Sequence, residues 1–138
     1  MAIIVSACLL GENCKYNGGN NYNEKLISYL EGKEVIPVCP EVEGGLPTPR
    51  VPSEIVNGVV TNREGVNVDT EFRTGVEVIM KRIAGKNIEY AILQSRSPSC
   101  GSKEIYDGTF SKTLIKGQGV FAKALTELGI KIIDIEDL

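Results

Sequence analysis

The chain has 138 residues, a net charge of −3 and no histidine. That length suits one domain with a proper core and is too short for two comfortable ones. Without imidazole there is no Ser-His-Asp or Cys-His triad and no His-dependent zinc site, so proton transfer falls to carboxylates, Tyr, Lys or water. The apolar fraction of 42% and a mean hydropathy near zero are those of a soluble globular protein. Met1 to Val5 runs straight into apolar residues with no basic n-region, and no apolar stretch is long enough to span a bilayer. A cytoplasmic protein without a membrane partner is expected. No stripe of Lys and Arg stands out, so nucleic-acid polymers are not expected partners either.

Ile3 to Val5 reads as a short buried strand, followed by a loop through Cys14 and Lys15-Tyr16-Asn17-Gly18. Asn23 to Glu31 reads as a helix with Leu26, Ile27 and Leu30 on one face and Gly32 placed to end it. Glu34 to Val38 is a second strand that leads directly into Cys39. Four prolines and two adjacent glycines between Pro40 and Pro52 predict irregular loop. Asn57-Gly58 predicts a small hairpin over Val56 to Thr61.

Asp69 or Thr70 can cap a long helix that reaches about Lys86, with Phe72, Val76, Ile79, Met80 and Ile83 as its core stripe. Ile88 to Leu93 is a third strand, leading towards Cys100. A loop with Tyr106-Asp107-Gly108 precedes a helix from about Gly119 to Leu128, ended by Gly129, and Ile130 to Ile135 is a last strand. Alternation of strand and helix predicts a single α/β domain over residues 1–138. Its sheet should be mostly parallel and flanked by helices.

The cysteines carry the chemistry. Cys8, Cys39 and Cys100 each lie just past a predicted strand, in segments rich in Gly, Pro and Ser. In a parallel sheet the carboxyl ends of the strands open on one side, where ligands bind, so the three cysteine-bearing loops are expected to meet. Thiolates in such a place can bind zinc or hold an iron–sulfur cluster. Cys14 lies in a loop and is either a fourth ligand or a bystander. Three thiolates on a cubane cluster leave one iron open for substrate, whereas four would close the site.

Glu41 follows Cys39 by two residues and is a candidate to pass protons to a substrate. Ser97 and Ser99 flank Pro98 beside Cys100 and can orient a substrate or act as turn formers. Arg50, in a proline-stiffened loop, can grip a carbonyl or carboxylate or form a structural ion pair. Tyr16 and Tyr106 sit in similar turns and can line a pocket for a flat ring. Gly117-Gln118-Gly119 opens the last helix and could seat an anion on its N–H groups, although it lacks a full phosphate-loop pattern.

Together these segments resemble the family labelled DUF523, some of whose members are thiouracil desulfidases. The resemblance runs through Ser6-Ala7-Cys8-Leu9-Leu10-Gly11, Lys15-Tyr16-Asn17-Gly18, Cys39-Pro40-Glu41 with Gly44-Gly45 and Pro49-Arg50, Ser97-Pro98-Ser99-Cys100-Gly101, and Tyr106-Asp107-Gly108. Where this chain has Lys-Tyr-Asn-Gly the family more often has Arg-Tyr-Asp-Gly, a departure that removes no expected ligand. The resemblance implies a [4Fe-4S] cluster on Cys8, Cys39 and Cys100, with one iron free for the sulfur of a thiolated base or other small thioamide. It implies Glu41 as proton donor, with Ser97 assisting. Arg50, Tyr16 and Ser99 are the expected substrate contacts. The reading from a different class is a non-catalytic zinc or metal-binding module that uses all four cysteines.

Overall fold

A computed structural model describes residues 1–138. Four parallel strands form the central sheet: β1 (Ala2–Ser6), β2 (Glu34–Val38), β5 (Ile88–Leu93) and β8 (Ile132–Asp134). Their order is β2-β1-β5-β8. Every residue of β1 is buried, as the apolar run of a central parallel strand must be, here closed by the buried Ser6. Alternate side chains go to opposite sides. Ile4, Val38, Ala91 and Leu93 meet α3 (Asp69–Ile83) and α4 (Val120–Glu127) through Ile79, Ile83, Phe121 and Leu125. Ile3, Val5 and Ile92 meet Leu26 of α1 (Glu24–Tyr29) and Leu30, which caps its C-terminus. Full burial of one such Leu or Ile stabilises the fold by about 1.5–3 kcal/mol.

The helix boundaries follow from their caps. The Asn23 side chain accepts the Leu26 N–H at 3.0 Å, and Gly32, at φ 76°, follows the C-terminus of α1. Gly129, at φ 78°, ends α4 in the same way. The expected hairpin is present as β3 (Ser53–Val56) and β4 (Val59–Asn62), joined by Asn57-Gly58, both at positive φ. It packs on α3 through Val60 and Phe72.

One cap and two segments differ from expectation. Neither Asp69 nor Thr70 caps α3, which follows Val68 without a side-chain cap, because the Asp69 carboxylate is taken by the Val60 N–H and Arg73. The loop after Cys39 begins with a helical turn, α2 (Pro40–Glu43). Proline at its first position has the φ a helix needs, and the Glu43 carboxylate reaches back to the Cys39 N–H at 3.2 Å. The segment around Tyr106-Asp107-Gly108, read as loop, is a hairpin of β6 (Glu104–Tyr106) and β7 (Leu114–Lys116). Its short strands are mostly exposed on β7, so no buried apolar run marked them.

Two glycines bring α2 onto α3 with backbone touching backbone. A Cβ on Gly75 would lie 1.8 Å from the Pro40 carbonyl oxygen, and one on Gly44 would lie 1.8 Å from that of Glu71. Arg82 adds an ion pair to Glu43. Helix α3 thereby sets the height of the segment that carries Cys39 and Glu41.

Candidate active site

The strand order decides where the thiols go. Cys39 follows β2, Cys8 follows β1 and Cys100 follows β5, and these are three consecutive strands of the sheet. The chain runs from β1 out to β2 on one side, and β5 lies on the other. That is a topological switch point, where crevices open in parallel sheets. Cys8, Cys14, Cys39 and Cys100 all line one cavity of about 410 Å³ there, within the usual range for small-molecule sites.

Each thiol has its own surroundings. Cys8 sits in a tight turn, Ala7–Leu10, and accepts the Asn21 side-chain N–H at 3.5 Å. The thiol of Cys14 faces those of Cys8 and Cys39, holding the first down to about 7 and lowering the second, while its own is pushed up. Cys100 is buried and its thiol is pushed up by that burial. All four are free thiols. Thiols grouped in this way suit zinc or, with each thiolate on its own iron, a cluster.

Beside the thiols lies a polar relay. The Ser99 hydroxyl donates to Glu41 Oε1 at 2.8 Å and lies 2.8 Å from the Ser97 hydroxyl. Ser99 is 1% exposed, and a buried hydrogen bond to a charged group is worth about 1.5–3 kcal/mol. Ser97 Oγ instead accepts the N–H groups of Ser99 and Cys100, each at 3.0 Å, and so shapes the turn that presents Cys100. Arg50 approaches Glu41 Oε2 at 3.9 Å, but donates to the carbonyls of Cys14 (2.9 Å) and Pro47 (3.2 Å). Its guanidinium is thus largely engaged in holding the Cys14 loop. Tyr16 stands at the cavity mouth, 47% exposed, and Tyr106 lines it too.

The N-terminus of α4 is not an anion seat. The N–H groups of Val120, Phe121 and Ala122 are taken by the carbonyls of Pro98 and Ser99 at 2.9–3.0 Å. Gly119 permits this approach, since a Cβ there would lie 2.5 Å from the Ser99 carbonyl carbon. Helix α4 therefore positions the cysteine loop.

The family model described as 2-thiouracil desulfurase matches residues 3–137. The chain belongs to the 2-thiouracil desulfurase family. This desulfurase-family chain is 36% identical over 146 residues to YbbK, an uncharacterised protein of Bacillus subtilis (strain 168), covering 99% of this chain and 97% of that one. It is also similar to a solved structure described as the [4Fe-4S]-dependent thiouracil desulfidase TudS (DUF523Vcz). The TM-score is 0.91 at 38% identity, over 99% of this chain and 92% of that one. The α/β fold with its parallel sheet and flanking helices is therefore as expected.

The cavity brings together Cys8, Cys39, Cys100, Glu41, Ser97, Ser99, Arg50 and Tyr16, with Cys14 and Tyr106, but not Gly117-Gln118-Gly119. Sequence reasoning missed Glu54, Phe72 and Phe110, which also line it. Phe72 reads from the sequence as part of the core stripe of its helix, and a glutamate inside a hairpin carries no motif.

Proposed function

We propose that this chain is a [4Fe-4S]-dependent desulfidase that removes sulfur from thiouracil or another small thioamide and releases it as sulfide. Residues 1–138 would work as one domain, in the cytoplasm, where four free cysteines stay reduced. The observation that carries the reading is the meeting of three thiols from consecutive parallel strands beside the Glu41–Ser99 pair, in one cavity. The donor set fits the cofactor. It offers three soft thiolates from neighbouring strand ends in one cavity, and no imidazole.

Cys8, Cys39 and Cys100 would hold the cluster. When bound it supplies Lewis acidity towards the thiocarbonyl sulfur. Water adds to the thiocarbonyl carbon, and Glu41 takes the proton it sheds and returns one to the departing sulfur. The Ser99 hydroxyl on Oε1 fixes the rotamer of that carboxylate, so Oε2 is left to move the proton. Arg50 stands 3.9 Å from Oε2, at the open side of the carboxylate. Oxygen from water replaces sulfur on the carbon, sulfide leaves, and no oxidation state changes.

Reconstituted protein incubated with 2-thiouracil is expected to give uracil and sulfide in equal amounts, and Glu41→Gln to slow both together. Equal turnover by metal-free protein would overturn the reading.

A further inference from the structure

The hairpin tip between β6 and β7 has no part in the chemistry above, yet it lines the same cavity with Phe110 and Lys112. Its backbone is unusual. Gly108 (φ 93°), Phe110 (φ 57°) and Lys112 (φ 63°) are all left-handed. A bulky residue such as Phe110 keeps that conformation only when its surroundings impose it. Asp107, Thr109, Ser111 and Thr113 lace the tip internally through their side chains. The hydrogen bonds that leave the tip both end on one atom. Glu54 Oε1, on β3, accepts the N–H of Gly108 at 3.0 Å and that of Phe110 at 3.1 Å. Beside it, Gly108 passes so close to β3 that a Cβ would lie 2.6 Å from the Ile55 carbonyl oxygen.

We propose that Glu54 is a positioning residue for substrate: it pins the Asp107–Thr113 tip to β3 and so fixes Phe110 as a wall of the cavity. An aromatic face held at fixed distance suits a planar heterocycle, whose ring it contacts at little entropic cost. The consequence for substrate rests on the desulfidase reading; the pin itself does not. Because one oxygen accepts both N–H groups, glutamine can replace glutamate and alanine cannot.

The test compares wild type with Glu54→Gln, Glu54→Ala and Phe110→Ala. Amide hydrogen exchange at Gly108 and Phe110 is expected to quicken at least tenfold in Glu54→Ala and to stay near wild type in Glu54→Gln. With iron content unchanged, Glu54→Ala should raise KM for 2-thiouracil about tenfold with kcat within about threefold, and Phe110→Ala should do the same. Unchanged exchange in Glu54→Ala would overturn the pin. Equal damage from Gln and Ala would overturn it as well, because the charge and not the acceptor oxygen would then matter. A KM that stays at wild type while exchange quickens would overturn the role in substrate binding. Wild-type protein that releases no sulfide would sink the desulfidase reading, and exchange alone would then decide the pin.

Discussion

Gly75→Ala puts a methyl group where the structure has no room for one. Its Cβ would lie 1.8 Å from the Pro40 oxygen and 2.6 Å from the Pro40 carbonyl carbon, against a floor of 3.0 Å for real Cβ contacts. Helix α2 must therefore retreat from α3 by more than about 1 Å. Cys39 and Glu41 flank Pro40 and move with it. A misplacement of about 1 Å at reacting groups costs on the order of 100-fold, or about 2.7 kcal/mol of barrier. The effect on stability is smaller, because overpacking costs about 1–3 kcal/mol while removal of a helix glycine returns about 0.5–1 kcal/mol. The assay is kcat/KM for sulfide release, normalised to bound iron, beside thermal unfolding, with the exposed Thr74→Ala as control. Gly75→Ala should lose most of its activity yet remain folded. Activity within about threefold of wild type would refute the claim that α3 sets the position of the Cys39 segment.

Ser substitutions of Cys8, Cys39 and Cys100 should each abolish iron binding after reconstitution, while Cys14→Ser keeps its iron, as read by iron analysis. Ser99→Ala removes the hydroxyl on Glu41 and should cut kcat by about tenfold or more with the iron intact, as steady-state kinetics would read. Burial raises the Asp69 carboxyl, but the Arg73 guanidinium and the Val60 N–H outweigh it and hold the group below its ordinary value. Its charge thus stabilises the fold above about pH 4, and the benefit is lost as pH falls through the lowered folded value. Asp69→Asn should cost about 1 kcal/mol at pH 7 and nothing once wild-type Asp69 is protonated, as denaturant unfolding at both pH values would measure.

Much of this was legible because local pattern and global fold agree. Strands β2 and β5 are apolar runs bounded by turn residues, and their limits are those expected. The α3 stripe and the helix-ending Gly32 and Gly129 read directly, whereas Asn23 reads as helix and turns out to be a cap, and Asp69, expected as a cap, is instead the first helical residue. Strand alternation alone implied that cysteines past strand ends would share an edge, and the order β2-β1-β5 makes them neighbours. What stayed hidden lies in contacts between distant segments. Gly75 reads as a weak point in a helix, yet it is where Pro40 docks. Gly119 reads as part of an anion loop, yet it admits the carbonyls that carry Cys100. Glu54 acts only through the backbone of a hairpin tip more than 50 residues away. No periodicity or spacing in one segment records such a partner.

The most direct test is iron and acid-labile sulfide on protein reconstituted and purified without air, read with its visible spectrum. About four of each per chain, with broad brown absorbance, is the predicted result for a [4Fe-4S] protein like the solved desulfidase it resembles. A colourless protein with one zinc per chain, or full activity without any metal, would contradict it.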